Sequence, residues 1–250
     1  MVNSVHYFVS MSTSRPPKKT DIKREKRRQT MLDVSLAMIA QTGLDAFSLH
    51  KLAGKLELTV GALYRYFPSK GALIAALENQ VISATRDRLL NAIDELNQHP
   101  DADDAAIMAL GGVLAAAYAY RAQLHDSPEQ MRLIGGLMSN PKPIMNAELA
   151  RDVIDNMMYA LEPVAAALET CVALGQLNPG PARDRAVVTW AALRGVAETK
   201  KLSARRPDLF DEKSLFQITL TGLLIGWGAE PDALKKATEL IREKVGDGEL

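Results

Sequence analysis

Cysteine is almost missing from this 250-residue chain, in which Cys171 is the one thiol. That excludes an intramolecular disulfide, a four-cysteine zinc site and an iron-sulfur cluster held by this chain alone, and it suits a reducing, cytoplasmic compartment. Uninterrupted apolar runs of full bilayer-spanning length are missing too. The nearly uncharged stretch Ser214 to Ala229 is interrupted by Gln217, Thr219 and Thr221 and falls short of the ~20 apolar residues that span a bilayer, so no membrane partner is expected. Val2 to Met11 lacks the basic lead, sustained apolar block and cleavage site of a secretory signal. The histidines His6, His50, His99 and His125 are scattered without an HExxH pair, and neither a P-loop nor a dinucleotide GxGxxG occurs. No persuasive active site emerges, and no enzyme, metal or cofactor is expected.

What is present is ordinary in sum and uneven in place. Apolar residues make up 47% and charged residues 24%, which excludes collagen-like, low-complexity and wholly disordered chains. The length suits one large domain or two ordinary ones. Lysine plus arginine equals aspartate plus glutamate at 30 each, yet Arg15 to Gln80 holds twelve cations against six anions, and the remainder holds 18 against 24. A basic quarter on a neutral protein either meets a polyanion or is a solvated face.

Apolar residues recur at helical spacing nearly throughout, with no convincing strict alternation, so the fold class expected is all-α. Punctuation by glycine and proline sets helices at about Ile22 to Gln41, Ser48 to Leu56, Thr59 to Phe67, Lys70 to Asn97, Asp103 to Arg121, Pro128 to Met138, Ile144 to Leu174, Arg183 to Leu202, Lys213 to Trp227 and Pro231 to Lys244. Asp101, Asp103 and Asp104 read as a helix start, and Pro163 predicts a kink or break in the seventh helix. No repeat of 20 to 50 residues is evident. Residues 1–20, rich in Ser and Pro and ending in Lys18 and Lys19, read as a flexible basic arm, with Met11 as an alternative start.

Within the basic quarter the spacing becomes specific. Ser48 is a good N-cap, followed by Leu49, Leu52, Ala53 and Leu56 on one face; Thr59 caps again before Val60, Leu63, Tyr64 and Phe67, and Pro68 stops the run. Two short helices thus flank a tight turn at Glu57 and Leu58, with Leu32, Leu36 and Ile39 of the preceding helix as their lid. This is helix-turn-helix spacing, which an ordinary helical corner shares.

Gly43 through Lys70, GLDAFSLHKLAGKLELTVGALYRYFPSK, resembles the DNA-binding domain of the TetR family of bacterial transcriptional regulators. Gly43, Ser48, Leu52, Ala53, Thr59, Gly61, Leu63, Tyr64, Phe67 and Lys70 carry the pattern in order and spacing. Glu57 departs from it, standing where the family usually has glycine or asparagine; a left-handed turn there costs a non-glycine residue roughly 1 kcal/mol. The resemblance implies an N-terminal three-helix domain over residues 21–69 and a larger helical effector-binding and dimerisation domain over 70–250. It further implies a homodimer that binds double-stranded operator DNA and a small-molecule effector, most often as a repressor.

A recognition helix in the major groove brings Thr59, Val60, Gly61 and Ala62 toward base edges, with Arg65 able to read guanine. The resemblance assigns Tyr64 and Tyr66 to phosphates or adjoining bases, Lys70 to a phosphate and His50 to a position that reaches a base edge. Tyr64 can also pack half-buried on Leu52, and His50 can simply be solvated. Ser48 with its helix amides offers a phosphate site, and Lys23 and Arg28 are near enough to trail along the backbone.

The acidic two-thirds then holds the core, an effector pocket and the dimer seam. Candidate pocket residues are Met108, Tyr118, His125, Met131, Met138, Met158, Trp190 and Arg194, on the reasoning that methionine and aromatics make an adaptable apolar pocket for an apolar or aromatic effector. Each alone is more often plain core. Ala191, Gly195 and Thr199 recur every four residues on one helix and Gly222 and Gly226 on the next, beside Leu220 and Leu223. Such stripes either seat a partner subunit or pack helices within one chain. The alternative from a different class is a helical small-molecule-binding or scaffold protein without DNA binding.

Overall fold

The structure is a computed structural model that describes residues 19–98, 104–139 and 144–245, with the side chains of 136–139, 201 and 244–245 left aside. The proposed arm therefore lies outside the described residues, apart from its last two positions. Among the described residues the fold is all-α, with eleven helices and no strand.

The basic quarter forms α1 (Lys19–Thr42), α2 (Leu49–Lys55) and α3 (Val60–Tyr64), and α4 (Lys70–Asn97) leads out of it. The expected caps at Ser48 and Thr59 accept from the amides of Lys51 and Ala62 at 3.3 and 3.2 Å, and Ser69, which the sequence reading did not single out, accepts from Ala72 at 2.9 Å, satisfying donors that a helix start leaves open. Glu57 sits at φ 53, the left-handed turn that its departure from the family pattern put in question, so the strain is carried there.

The body follows as α5 (Ala105–Asp126), α6 (Pro128–Ser139), α7 (Ala147–Ala173), α8 (Ala182–Glu198), α9 (Lys200–Ser203), α10 (Glu212–Gly226) and α11 (Pro231–Val245). α5 runs five residues past the expected Arg121, because no glycine or proline intervenes before Ser127-Pro128. It is long and apolar enough to cross a membrane by length and composition, and 67% of that window is buried among other helices. α7 continues as one helix through Pro163, so of the expected kink or break the break does not occur. The Pro163 side chain is buried, so packing holds the turn that proline weakens. The eighth expected helix divides at Thr199 into α8 and the short α9.

Two apolar cores result. The N-terminal one gathers Leu32, Phe47, Leu52, Leu63 and Phe67, then extends past residue 70 through Leu73, Ile74 and Leu77 of α4 and takes in Leu133 of α6. The larger one holds α5, α7, α8, α10 and α11 around Leu110, Leu168, Phe216 and Leu224. The outer turns of α4 belong to it through Val81, Ile82, Leu89 and Leu96. One helix thus runs unbroken between the two cores.

Candidate nucleic-acid interface and ligand cavities

The buried faces of α1 to α3 determine what they leave outside. Leu63 and Phe67 are buried while Thr59, Gly61, Tyr64 and Arg65 are exposed and Val60, Ala62 and Tyr66 half-buried. Tyr64, at 49% exposure, presents about half of its surface to solvent, within reach of a ligand. A Cβ added at Gly61 would meet nothing within 4 Å; the glycine serves no packing need within the chain and lets another backbone approach closely. His50 is exposed on α2.

The cations are less uniformly free. Lys23 is exposed, whereas Arg28 pairs with Glu25 at 3.3 Å and lies 5.4 Å over the Phe67 ring. Arg24 lies 5.9 Å over Tyr66 and, with Arg27 and Arg65, lines a basic hollow of about 330 Å³ beside α3. Lys70 donates from Nζ to the Phe47 carbonyl at 2.8 Å, so one of its three donors ties α4 to the loop before α2 and two stay available. Ser48 already accepts from Lys51, leaving its hydroxyl proton to give.

In the body, α4, α5, α6, α7 and α8 enclose an apolar cavity of about 50 Å³ lined by Ile82, Val113, Tyr120, Met157, Trp190 and Leu193 among others. Of the expected pocket residues only Trp190 lines it. A cleft of about 330 Å³ beside it takes His125, Met131 and Arg194. Met108, Tyr118 and Met158 line neither, and the Met138 side chain lies outside the described residues. Tyr118 packs against Phe216 as core, the rings tilted at 43° with centroids 5.5 Å apart; desolvation raises its phenol above the ordinary value. Met157 replaces Met158 because it shares a face with Val153, Ala160 and Val164, a spacing legible in the sequence. Tyr120, which is not among the expected pocket residues, lines the cavity, and burial pushes its pKa up against the opposing charge of Arg194.

On the outer faces of α8 and α10, Ala191, Gly195, Gly222 and Gly226 are exposed and Thr199 and Leu223 half-buried. Leu220, at 2% exposure, belongs to the core of the single chain and is withdrawn from the seam. Cβ atoms added at Gly195, Gly222 or Gly226 would meet nothing within 4 Å, so these glycines do not serve packing within one chain. Val188 on α8 and Ile218 and Ile225 on α10 are exposed as well, as is Leu202 on the adjoining α9. Among the described residues, no group of three or more His, Cys, Asp or Glu stands ready to hold a metal ion.

Comparison with known proteins gives this geometry its kinship. Residues 31–77 match the family described as bacterial regulatory proteins, tetR family. The HTH-type transcriptional repressor KstR of Mycolicibacterium smegmatis is 40% identical over 68 residues, 26% of this chain and 33% of that protein. The class D tetracycline repressor protein of Escherichia coli is 32% identical over 68 residues, 27% of this chain and 31% of that one. The chain therefore spans about a third of the length of these curated relatives. A solved structure described as a putative regulatory protein aligns over 83% of this chain and 98% of its own, at 25% identity and TM-score 0.60. The matched stretch contains the helix-turn-helix and its lid, so residues 31–77 carry the DNA-binding domain of the tetR family of bacterial regulatory proteins, and the solved structure extends the likeness in fold through the helical body.

Proposed function

We propose that this protein is a homodimeric, ligand-responsive transcriptional regulator that binds double-stranded operator DNA and acts as a repressor released by a small molecule. The observation that carries the reading is α3. Its apolar side is locked into the N-terminal core, and Thr59, Gly61, Tyr64 and Arg65 face outward beside Arg24 and Arg27, with Lys23 and His50 also exposed. Side chains at the start of α3 are small, so direct base readout is modest; half-site spacing and DNA shape supply the rest of the specificity. Residues 21–69 serve as the reading domain and 70–250 as the effector and dimer domain, with the first turns of α4 shared between them.

Control acts through α4. Its inner turns pack with the reading head and Ile82, Thr85 and Leu89 line the apolar cavity. At about 50 Å³ the cavity is far below the ~300 Å³ of an ordinary ligand pocket. An effector must widen it, displacing α4 and with it the separation of the two heads in a dimer. Its effect is bounded by its differential affinity for the two states.

Selection of bound duplexes from a random pool, followed by anisotropy titration over a range of salt, tests the reading. The expected result is enrichment of two related half-sites whose centres lie about one helical turn, or a multiple of it, apart, with log affinity falling linearly in log salt. No enrichment, or salt-insensitive binding, would instead favour the small-molecule-binding scaffold.

A further inference from the structure

The cleft beside the apolar cavity has a chemistry of its own. It lies where the end of α5, the start of α6 and the end of α8 converge, and Leu124, Met131, Arg194 and Lys200 are among its walls. Arg194 is 7% exposed, yet its Nη1 has no hydrogen-bond partner. The other guanidinium nitrogen is occupied, Nη2 donating to the Met131 carbonyl at 3.1 Å and to Glu198 at 3.2 Å. A buried guanidinium edge without an acceptor is costly, since nothing on that side replaces the water its N–H groups have lost. Gly135 on α6 makes the room for it: a Cβ there would overlap the Arg194 guanidinium. The carboxylates nearby are already engaged, Glu198 by Arg194 and Glu212 by Arg121 at 3.0 Å and His125 at 3.2 Å. Lys200 on the rim is exposed.

Cleft and cavity are continuous in their walls. On α5, Tyr120 lines the cavity and Leu124 the cleft; on α8, Trp190 and Leu193 line the cavity and Arg194 the cleft; on α6, Ile134 lines the cavity and Met131 the cleft. Each step is about one helical turn or less, roughly 5 Å along the axis.

We propose that the effector is an amphiphilic organic acid whose carboxylate docks in this cleft on Arg194 and Lys200 while its apolar body occupies the adjoining cavity. The inference rests on the ligand-responsive reading above and names the chemistry of the ligand. A carboxylate supplies the planar pair of acceptors that a guanidinium edge recognises, and the cavity walls of Val113, Leu161, Trp190 and Leu193 supply the apolar half.

Isothermal titration of the full-length protein with octanoate and 3-phenylpropanoate, against octan-1-ol and 3-phenylpropan-1-ol, tests it. At least one acid is expected to bind at least tenfold more tightly than its alcohol. Arg194→Gln should erase that preference, and Lys200→Glu, an exposed change that keeps the fold, should weaken the acid severalfold and leave the alcohol untouched. Equal affinities for acid and alcohol, an undiminished acid in Lys200→Glu, or no binding of either acid at millimolar concentration would each overturn it. Alcohols that bind as well as acids and still release DNA would leave the ligand-responsive reading standing. An acid that binds through Arg194 yet leaves DNA affinity unchanged would sink that reading and keep the site.

Discussion

The N-terminal head and the C-terminal body bury their residues on different terms. The head core is built of apolar side chains around Leu52 and Leu63, and its buried polar residue Ser35 donates to the Met31 carbonyl at 2.6 Å. Among the described residues, the buried side-chain atoms that lack a partner belong to Glu78, Gln80, Arg86, Gln123 and Arg194, all from α4 onward. Such groups cost stability in one conformation and leave others within reach. The head is built to be one shape, and the body is built to be remodelled.

Breaking the head should therefore have the largest effect. Leu52→Ala removes a fully buried side chain and should cost about 2–5 kcal/mol, abolishing DNA binding while calorimetric ligand binding in the body persists. Chemical denaturation with parallel anisotropy measures both. Loss of ligand binding as well would mean that the two cores do not act as separate units.

The seam comes next. Gly195→Leu and Gly222→Leu have open space around them in the single chain, so each should leave the subunit folded and overpack the partner contact by roughly 1–3 kcal/mol. Sedimentation should show a shift toward monomer, with operator binding lost in parallel. Dimers of undiminished affinity in both variants would place the seam elsewhere.

Glu78 probes the body's tolerance of unpaired polar groups. Burial raises its carboxyl from 4.5 to about 7. The folded state holds that proton where the unfolded state has released it, so stability falls as pH rises from about 4.5 through about 7 and is flat above. Glu78→Gln should remove this slope and raise stability at pH 8 by on the order of 1–3 kcal/mol. Melts at pH 5 and 8 decide it: a variant gaining nothing at pH 8 would show that the carboxylate has a compensating partner.

Much of the head was legible beforehand, and the reason lies in its locality. Caps at Ser48 and Thr59, the apolar stripes of α2 and α3 and the left-handed turn at Glu57 are encoded within a few residues of where they act. The body is specified by contacts between distant positions. Nothing near Tyr120 announces Arg194, 74 residues on, and nothing near Arg121 announces Glu212, which pairs with it across 91 residues. Leu220 and Met158 show the same limit, since helical spacing narrows a face to about one residue either way and tertiary packing chooses.

Lys70 should give the smallest and most diagnostic effect. Lys70→Ala loses the bond to the Phe47 carbonyl, worth about 1 kcal/mol, and any phosphate contact. Operator binding should weaken nearly uniformly across sequences, and the salt slope should flatten by about one unit. A lost melting temperature with an unchanged slope would leave Lys70 as a clamp on α4 alone.

The central claim is that α4 carries the state of the body to the spacing of the heads. Cys171 is fully buried, so a single Lys55→Cys change on the exposed side of α2 places one spin label per head. Pulsed dipolar distances should be measured in the dimer free, bound to the selected duplex, and saturated with the tightest-binding compound of the acid and alcohol panel. The account predicts one narrow separation on DNA and a displaced separation with the compound. The same separation in both bound states would contradict it.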